Sequence, residues 1–283
     1  MVNSLKCKNK QCRRTFPLGL ERCPHCACPG VFSNVEEARL SAERKALAKR
    51  YKSAVGAAVA RGCAHQVSRF EAKLVNAHAV INRSALETAR LVSSDRELFS
   101  TFYQLLNSEV RLPSGEIWDK LRRIADEALF PGYKEKIRFA ALSLDNLGLF
   151  NYGDCSLVLT DAMIAHRASV YHENSALFLR RHSFEPPVGY RAVWRDRARL
   201  CIAKLADRLQ VFTPARDFAA LLLRQGDTSE QDQFIEVHIW GPLSVYCLAK
   251  VSIAKRFSSR SPALFRAVRE LLHHAGVKSE ILQ

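Results

Sequence analysis

The sequence contains no apolar run approaching the ~20 residues that cross a bilayer. Its first residues, MVNSLKCKNK, carry charge with no apolar stretch behind it, so they do not read as a secretory signal. There is no P-loop, no G-x-G-x-x-G fingerprint, no internal repeat and no low-complexity segment. Acidic residues are scarce: 28 Asp+Glu against 43 Lys+Arg leave a formal charge of +15. No Asp/Glu pair stands at metal-ligand spacing on one strand, which counts against a metal-dependent nuclease. A disulfide framework is also missing. The nine cysteines are odd in number, and five fall in the first 28 residues.

These absences point to a soluble cytoplasmic protein with no membrane partner. At 283 residues the chain has room for a sizeable domain with accessories. The charge excess favours a polyanionic partner, nucleic acid (RNA or DNA) first. The basic residues are nevertheless interspersed, with no Lys/Arg tail, so solubility explains part of the excess.

Residues 1–32 hold the most specific pattern, Cys7-x4-Cys12-x10-Cys23-x2-Cys26. Tetrahedral zinc takes four soft ligands, and two close cysteine pairs joined by a short hairpin supply them. The CPHC knuckle suits a zinc ribbon; the first knuckle is looser, and His25 and Cys28 are possible substitute ligands. A segment this polar needs the ion for its folding energy. Lys6, Lys8, Lys10, Arg13, Arg14 and Arg22 make it basic, which favours nucleic acid as its contact. The competing reading is a set of free or redox-active thiols.

Residues 33–132 read as helical. No proline occurs between Asn34 and Val92, and Leu47, Tyr51, Val55 and Val59 form one apolar stripe. Phe70, Leu74, Ala77 and Ile81 form another. Asn34 ahead of Glu36 and Glu37 suits a helix start, while Gly56 and Gly62 suit breaks. DRELFSTFYQLLNSEV and EIWDKLRRIADEALF read as further helices, separated by LPSG and stopped by Pro131-Gly132.

Residues 133–283 change character, to mixed α/β. IRFAALSLD, CSLVLTD, RASVY and IEVHIW read as short strands. A helix over 190–209 is marked by Trp194, Ala198, Cys201, Leu205 and Leu209. The last helix follows Ser261-Pro262 and stops at Gly276; His273 and His274 in its last turn suit the helix dipole. Two strands carry polar side chains where apolar ones are expected. Arg167, Ser169, Tyr171 and Glu173 share one face of the third strand, and Glu236 and His238 share one face of the fourth. An edge strand with a wet face explains one such strand; two of them together suggest a cleft lined with hydrogen-bonding groups.

Together these segments resemble bacterial and phage ADP-ribosyltransferase-like domains, including those of toxins and phage head proteins. The first likeness lies in Tyr152, Gly153, Asp154, Arg167, Ser169, Glu173, Asn174 and Ser175, matching YGD…RAS…ENS. The second lies in Glu236, His238, Gly241 and Pro242, matching E-x-(Q/H)-(I/V)-x-G-P. The likeness covers roughly residues 135–256. The zinc ribbon and helical middle fall outside it; added to them, the likeness implies an α+β chain ending in a C-terminal ADP-ribosyltransferase-like domain that uses NAD as substrate. It further implies a toxin or phage-defence effector, with an antitoxin as a possible partner. One departure is that many members carry Gln or Glu two residues from the catalytic Glu, where this chain has His238 after it and Phe234 before it.

The expected roles follow from that chemistry. Breaking the nicotinamide–ribose bond builds positive charge on the sugar, which a fixed carboxylate, Glu236, would steady. His238, on the same face, would take the proton from the attacking group. Arg138 or Arg167 would hold the pyrophosphate, and Tyr171 would stack on nicotinamide. Ser169, Asn174 and Ser175 would bond the ribose or carboxamide. Two other readings stand beside this one: a non-catalytic zinc-ribbon regulator that binds nucleic acid and, ranked lowest, a metal-dependent nuclease using Glu236, His238, His166 and His172.

Overall fold

The computed structural model describes residues 4–7, 11–17, 23–27, 32–100, 103, 116–255 and 261–282. The architecture is mixed α+β. At the N-terminus β1 (Ser4–Lys6) and β2 (Thr15–Pro17) pair antiparallel. Helices α1 (Ser33–Arg39), α2 (Ser41–Ala60) and α3 (Ala64–Leu74) follow, then β3 (His78–Arg83) and α4 (Ala85–Val92). Next come α5 (Glu116–Leu129), β4 (Ile137–Ser143), β5 (Cys155–Leu159), α6 (Asp161–Ile164) and β6 (Ala168–Tyr171). They are followed by α7 (Ser175–Arg181), β7 (Arg191–Val193), α8 (Arg197–Leu205) and α9 (Phe218–Leu222). The chain ends with β8 (Glu236–Trp240), β9 (Leu248–Ala254), α10 (Pro262–His274) and β10 (Lys278–Leu282).

Eight strands form one sheet in the order β10-β9-β5-β3-β4-β8-β6-β7. Only β10 and β9 run parallel; the other pairs are antiparallel. Strand alternation sorts the side chains between two faces. One face presents Ile81, Leu142, Leu157, Val170, Val237 and Val251, all buried beneath α2, α3, α4, α8, α9 and α10 in the main core. The other face is mixed. Glu236 lies opposite Tyr171 on one side and Ala141 on the other, and His238 lies between Ser169 and Phe139. α5 and α7 cover part of this face through Leu121, Ala125, Leu129, Phe130, Phe178 and Leu179. The rest is left open, and the cavity described below lies there.

The four expected strands form, at 137–143, 155–159, 168–171 and 236–240. The stripe Phe70–Leu74–Ala77–Ile81 does not form one helix: α3 ends at Leu74, and Ile81 lies in β3. Spacing alone fits both, but β3 pairs with β4 on one side and β5 on the other, and that pairing decides the conformation. Strands β7, β9 and β10 were likewise not expected. Asn34 does not cap α1, which starts at Ser33; its side-chain amide instead reaches the carbonyls of Arg167 and His238 and the Ser169 hydroxyl. Gly56 lies within α2 without breaking it, whereas Gly62, at φ +76°, follows the helix end. Residues 95–100 are not helical; apart from Tyr103, the remainder of that expected helix and the LPSG turn lie outside the described residues. Among the described residues no helix is long and apolar enough to cross a membrane.

Candidate active site

Glu236 opens β8 at the centre of the mixed face and is 3% exposed. A carboxylate this buried requires partners, and three elements supply them. From α5, Arg122 Nη1 approaches Oε1 at 3.2 Å. From the first residue of α7, the Ser175 backbone N–H donates to Oε2 at 3.0 Å. From two residues along β8, His238 Nε2 lies 2.9 Å from the same oxygen. An ionised carboxylate only accepts, so Nε2 carries the proton of that bond.

The α7 terminus is built for this contact. Asn174 caps the helix, its Oδ1 accepting from the Ala176 and Leu177 amides at 3.1 and 3.3 Å. With those amides satisfied, the Ser175 N–H is directed to Glu236. Behind Arg122 lies a second carboxylate: Nε is 3.0 Å from Asp126 Oδ1, and Tyr103 donates to Asp126 Oδ2 at 2.8 Å. The Arg122 guanidinium also sits 3.6 Å over the Phe139 ring, which fixes its plane.

Burial alone would raise the Glu236 carboxyl, but Arg122 first, then His238 and Ser175, outweigh it and bring it down to about 2. Asp126 goes the other way: burial raises its carboxyl above the ordinary range despite Arg122 and Tyr103. One guanidinium thus serves two unlike carboxyls, and Glu236 is the one held ionised.

Beside Glu236 opens a cavity of about 500 Å³. Polar groups on its wall include Asn82, Arg83, Asp119, Arg122, Tyr152 and Asn174; Phe139, Leu149 and Phe234 give it apolar sides. The loop after β4 is pinned against Asn82, whose Oδ1 accepts from Leu149 N at 2.7 Å and whose Nδ2 donates to Leu147 O at 3.1 Å. That approach requires Gly148, at φ +64°, because a Cβ there would lie 2.1 Å from Asn82 Oδ1. Gly153 of the YGD segment has the same explanation, since a Cβ would meet the Arg83 carbonyl carbon at 2.1 Å.

The expected site residues divide into three groups. Glu236 and Asn174 line the cavity, and Ser175 meets Glu236 through its backbone. His238, Ser169 and Tyr171 share Glu236's face but lie outside the cavity lining. His238 is enclosed by Phe130, Phe139 and Tyr171 at ring distances of 4.8, 5.5 and 5.7 Å. It is therefore a positioning residue for the carboxylate, not a base at the cavity. Ser169 accepts from Asn34 at 3.2 Å beneath α1. Neither arginine expected to hold the pyrophosphate lies at the cavity. Arg138 pairs with Ile239, on the opposite sheet face from Glu236, and donates to Lys136 O at 2.9 Å. Arg167 clamps the turn after β8, donating to Trp240 O at 2.6 Å and Pro242 O at 2.8 Å. The RAS and G-P segments therefore belong together for a structural reason.

The guanidinium at the site is Arg122, which the sequence reading did not select. A signal for it was present: Asp119, Arg122 and Asp126 recur at three- and four-residue spacing on a helix whose other stripe is apolar.

The cysteine knuckles form a second constellation. The Sγ atoms of Cys7, Cys12, Cys23 and Cys26 lie within 4.8 Å of one another, a group able to hold a metal ion. Cys7 and Cys26 are 3.6 Å apart and Cys12 and Cys23 3.8 Å, too far for disulfides. His25 is exposed in the intervening turn, and Cys28 lies outside the described residues, as do Lys8, Lys10 and Arg22. Among the described residues, Glu236, His238, His166 and His172 do not gather into any such group, so the nuclease reading lacks a metal centre. No protein-family model matches this chain, and no curated protein matches it.

Proposed function

We propose that the chain is an NAD-dependent ADP-ribosyltransferase acting at the cavity beside Glu236. The observation that carries this reading is a buried carboxylate, Glu236, held ionised in the wall of a cavity of nucleotide size. Small-ligand sites span roughly 300–1,000 Å³, and this cavity falls within that range. The direct antiparallel pairing of β6 with β8 adds support, because it joins the RAS…ENS and E-x-H segments on which the resemblance rests.

In this reading Glu236 accepts the ribose 2′-hydroxyl proton in a hydrogen bond and steadies the cationic sugar as the glycosidic bond lengthens. The bonding pair leaves with nicotinamide, whose ring becomes neutral. The acceptor's nucleophile then bonds to the anomeric carbon and releases its proton to water. Arg122 and Arg83, which line the cavity, suit the pyrophosphate better than Arg138 or Arg167. Asn82 and Asn174 offer amides to the ribose or carboxamide. His238 keeps Glu236 ionised and aimed. A toxin or phage-defence role, with a neutralising partner protein, extends the same resemblance.

The N-terminal module is read as a zinc site. Zn–S bonds of ~2.3 Å in a tetrahedron put sulfurs about 3.8 Å apart, and the Cys7–Cys26 and Cys12–Cys23 pairs stand at 3.6 and 3.8 Å. The four thiolates would hold the ion and fix the β1–β2 hairpin.

The test is incubation of the metal-loaded chain with NAD labelled in its nicotinamide. Release of the label is expected, with Glu236→Gln slowing it ~100-fold or more. If NAD neither binds in calorimetry nor loses nicotinamide, the proposal fails, and a basic, metal-binding nucleic-acid regulator becomes the better reading.

A further inference from the structure

Away from Glu236, one group of side chains departs from the usual dispersal of like charges. Arg50 of α2, Arg181 ending α7, Lys204 of α8 and Arg208 just beyond it converge on His172, the residue after β6. Lys204 Nζ donates to the carbonyls of His172 at 2.6 Å and Phe234 at 2.9 Å. Arg50 Nη2 lies 3.2 Å from His172 Nδ1. Arg181 pairs with Glu173. Among the described residues Arg50, Lys204 and Arg208 have no carboxylate partner.

The cost of this gathering shows in the titrating groups. Burial, then Lys204, Arg50, Arg181 and Arg208, push the His172 imidazole down to about 2, so it stays neutral. Burial, then Arg208, Arg181 and Arg50, bring Lys204 down to about 7, with only Cys201 opposing. Cations collected without counter-charge destabilise a fold and are expected where an anion completes them. Rings are interleaved with them. The Arg50 guanidinium lies 3.7 Å over Tyr190, and exposed His182 lies 4.3 Å from Phe178.

The cluster adjoins the cavity. His172 is two residues from Asn174, and Phe234, whose carbonyl Lys204 holds, is itself on the cavity wall.

We propose that this surface binds the phosphate backbone of a single-stranded nucleic acid, through Arg50, Arg181, Lys204 and Arg208, with the His182 ring available to a base. Cations alone would serve any polyanion. The exposed His182 ring, backed by buried Phe178, favours a strand whose bases are unstacked and free to pack on it, which a duplex does not offer. The inference is independent of the chemistry at Glu236.

The experiment measures anisotropy of a labelled oligouridylate with the full metal-loaded chain across a salt series. Arg181→Gln and Arg208→Gln change exposed side chains and leave the buried hydrogen bonds of Lys204 intact. The double variant is expected to bind at least ~10-fold more weakly, with a salt slope shallower by about 1.4, since each lost phosphate contact removes ~0.7 on a single strand. Lys204 gains a proton beside phosphate, so affinity rises as pH falls through about 7. Unchanged affinity and slope in the double variant overturn the proposal. So does poly-glutamate competing as well as oligouridylate, which marks an acidic protein as the partner, or tighter binding of a duplex.

Discussion

Replacing Glu236 by Gln tests the site's electrostatics without reference to any substrate. The change keeps the shape and removes the charge, and it leaves one acceptor oxygen where there were two, so the amide NH2 faces either Arg122 or the Ser175 amide and His238. In the folded protein the carboxyl falls from 4.5 to about 2. At 1.36 kcal/mol per tenfold in proton affinity, ionised Glu236 contributes roughly 3 kcal/mol to folding at neutral pH. The sign follows from the depressed folded value: the contribution is complete above about pH 4.5 and is lost as pH falls toward 2. Urea unfolding of wild type and variant, each at a series of pH values, reads the difference directly. Loss of metal from the cysteines and protonation of other acids affect both proteins and cancel. The variant should be less stable by roughly 3 kcal/mol above pH 5, equivalent to ~6–12 °C in Tm for a chain of this size. The gap should close as the solution is acidified. A gap that is absent at pH 7, or constant down to pH 2, would refute the account of Glu236 as the ionised partner of Arg122.

Arg122→Met should cost more, about 3–5 kcal/mol at neutral pH, because it leaves Glu236 and Asp126 buried without their shared cation; thermal denaturation measures it, and acidification should recover part of the loss. Gly148→Ala should lower stability by roughly 2–4 kcal/mol, since φ is +64° and the new methyl meets Asn82 Oδ1; an unchanged melting temperature would contradict the packing described. Cys23→Ser should reduce zinc per chain, measured by atomic emission, from one to near zero and open the β1–β2 hairpin to protease. The eight-stranded sheet should keep its circular dichroism, because its core shares no residue with the knuckles.

The cysteine quartet was legible because two close pairs of soft ligands have few other uses. The four strands from Ile137 to Trp240 were legible from short apolar runs and alternation, and Glu236 stood out as a charge inside such a run. β3 was not, because its apolar positions continue a helical stripe and only its two neighbours make it a strand. The roles of Arg138 and Arg167 were misjudged on one ground: an arginine beside a motif looks like a ligand until register places it on a face. Arg138 takes the face away from Glu236, and Arg167 spends its hydrogen bonds on the turn at Gly241-Pro242.

By itself the sequence determined several marks of unusual chemistry: four thiols at ligand spacing, an acid inside an apolar run with a histidine two residues on, and a large excess of cations. Those are matters of composition and of local period, which a chain carries in any conformation. Which partners those groups meet was decided only by tertiary structure. Arg122 is 114 residues from Glu236, and Arg50 is 122 residues from His172. Contacts across such separations follow from how strands pair and which faces helices cover, and a charge acquires its effect only from the groups and burial that surround it.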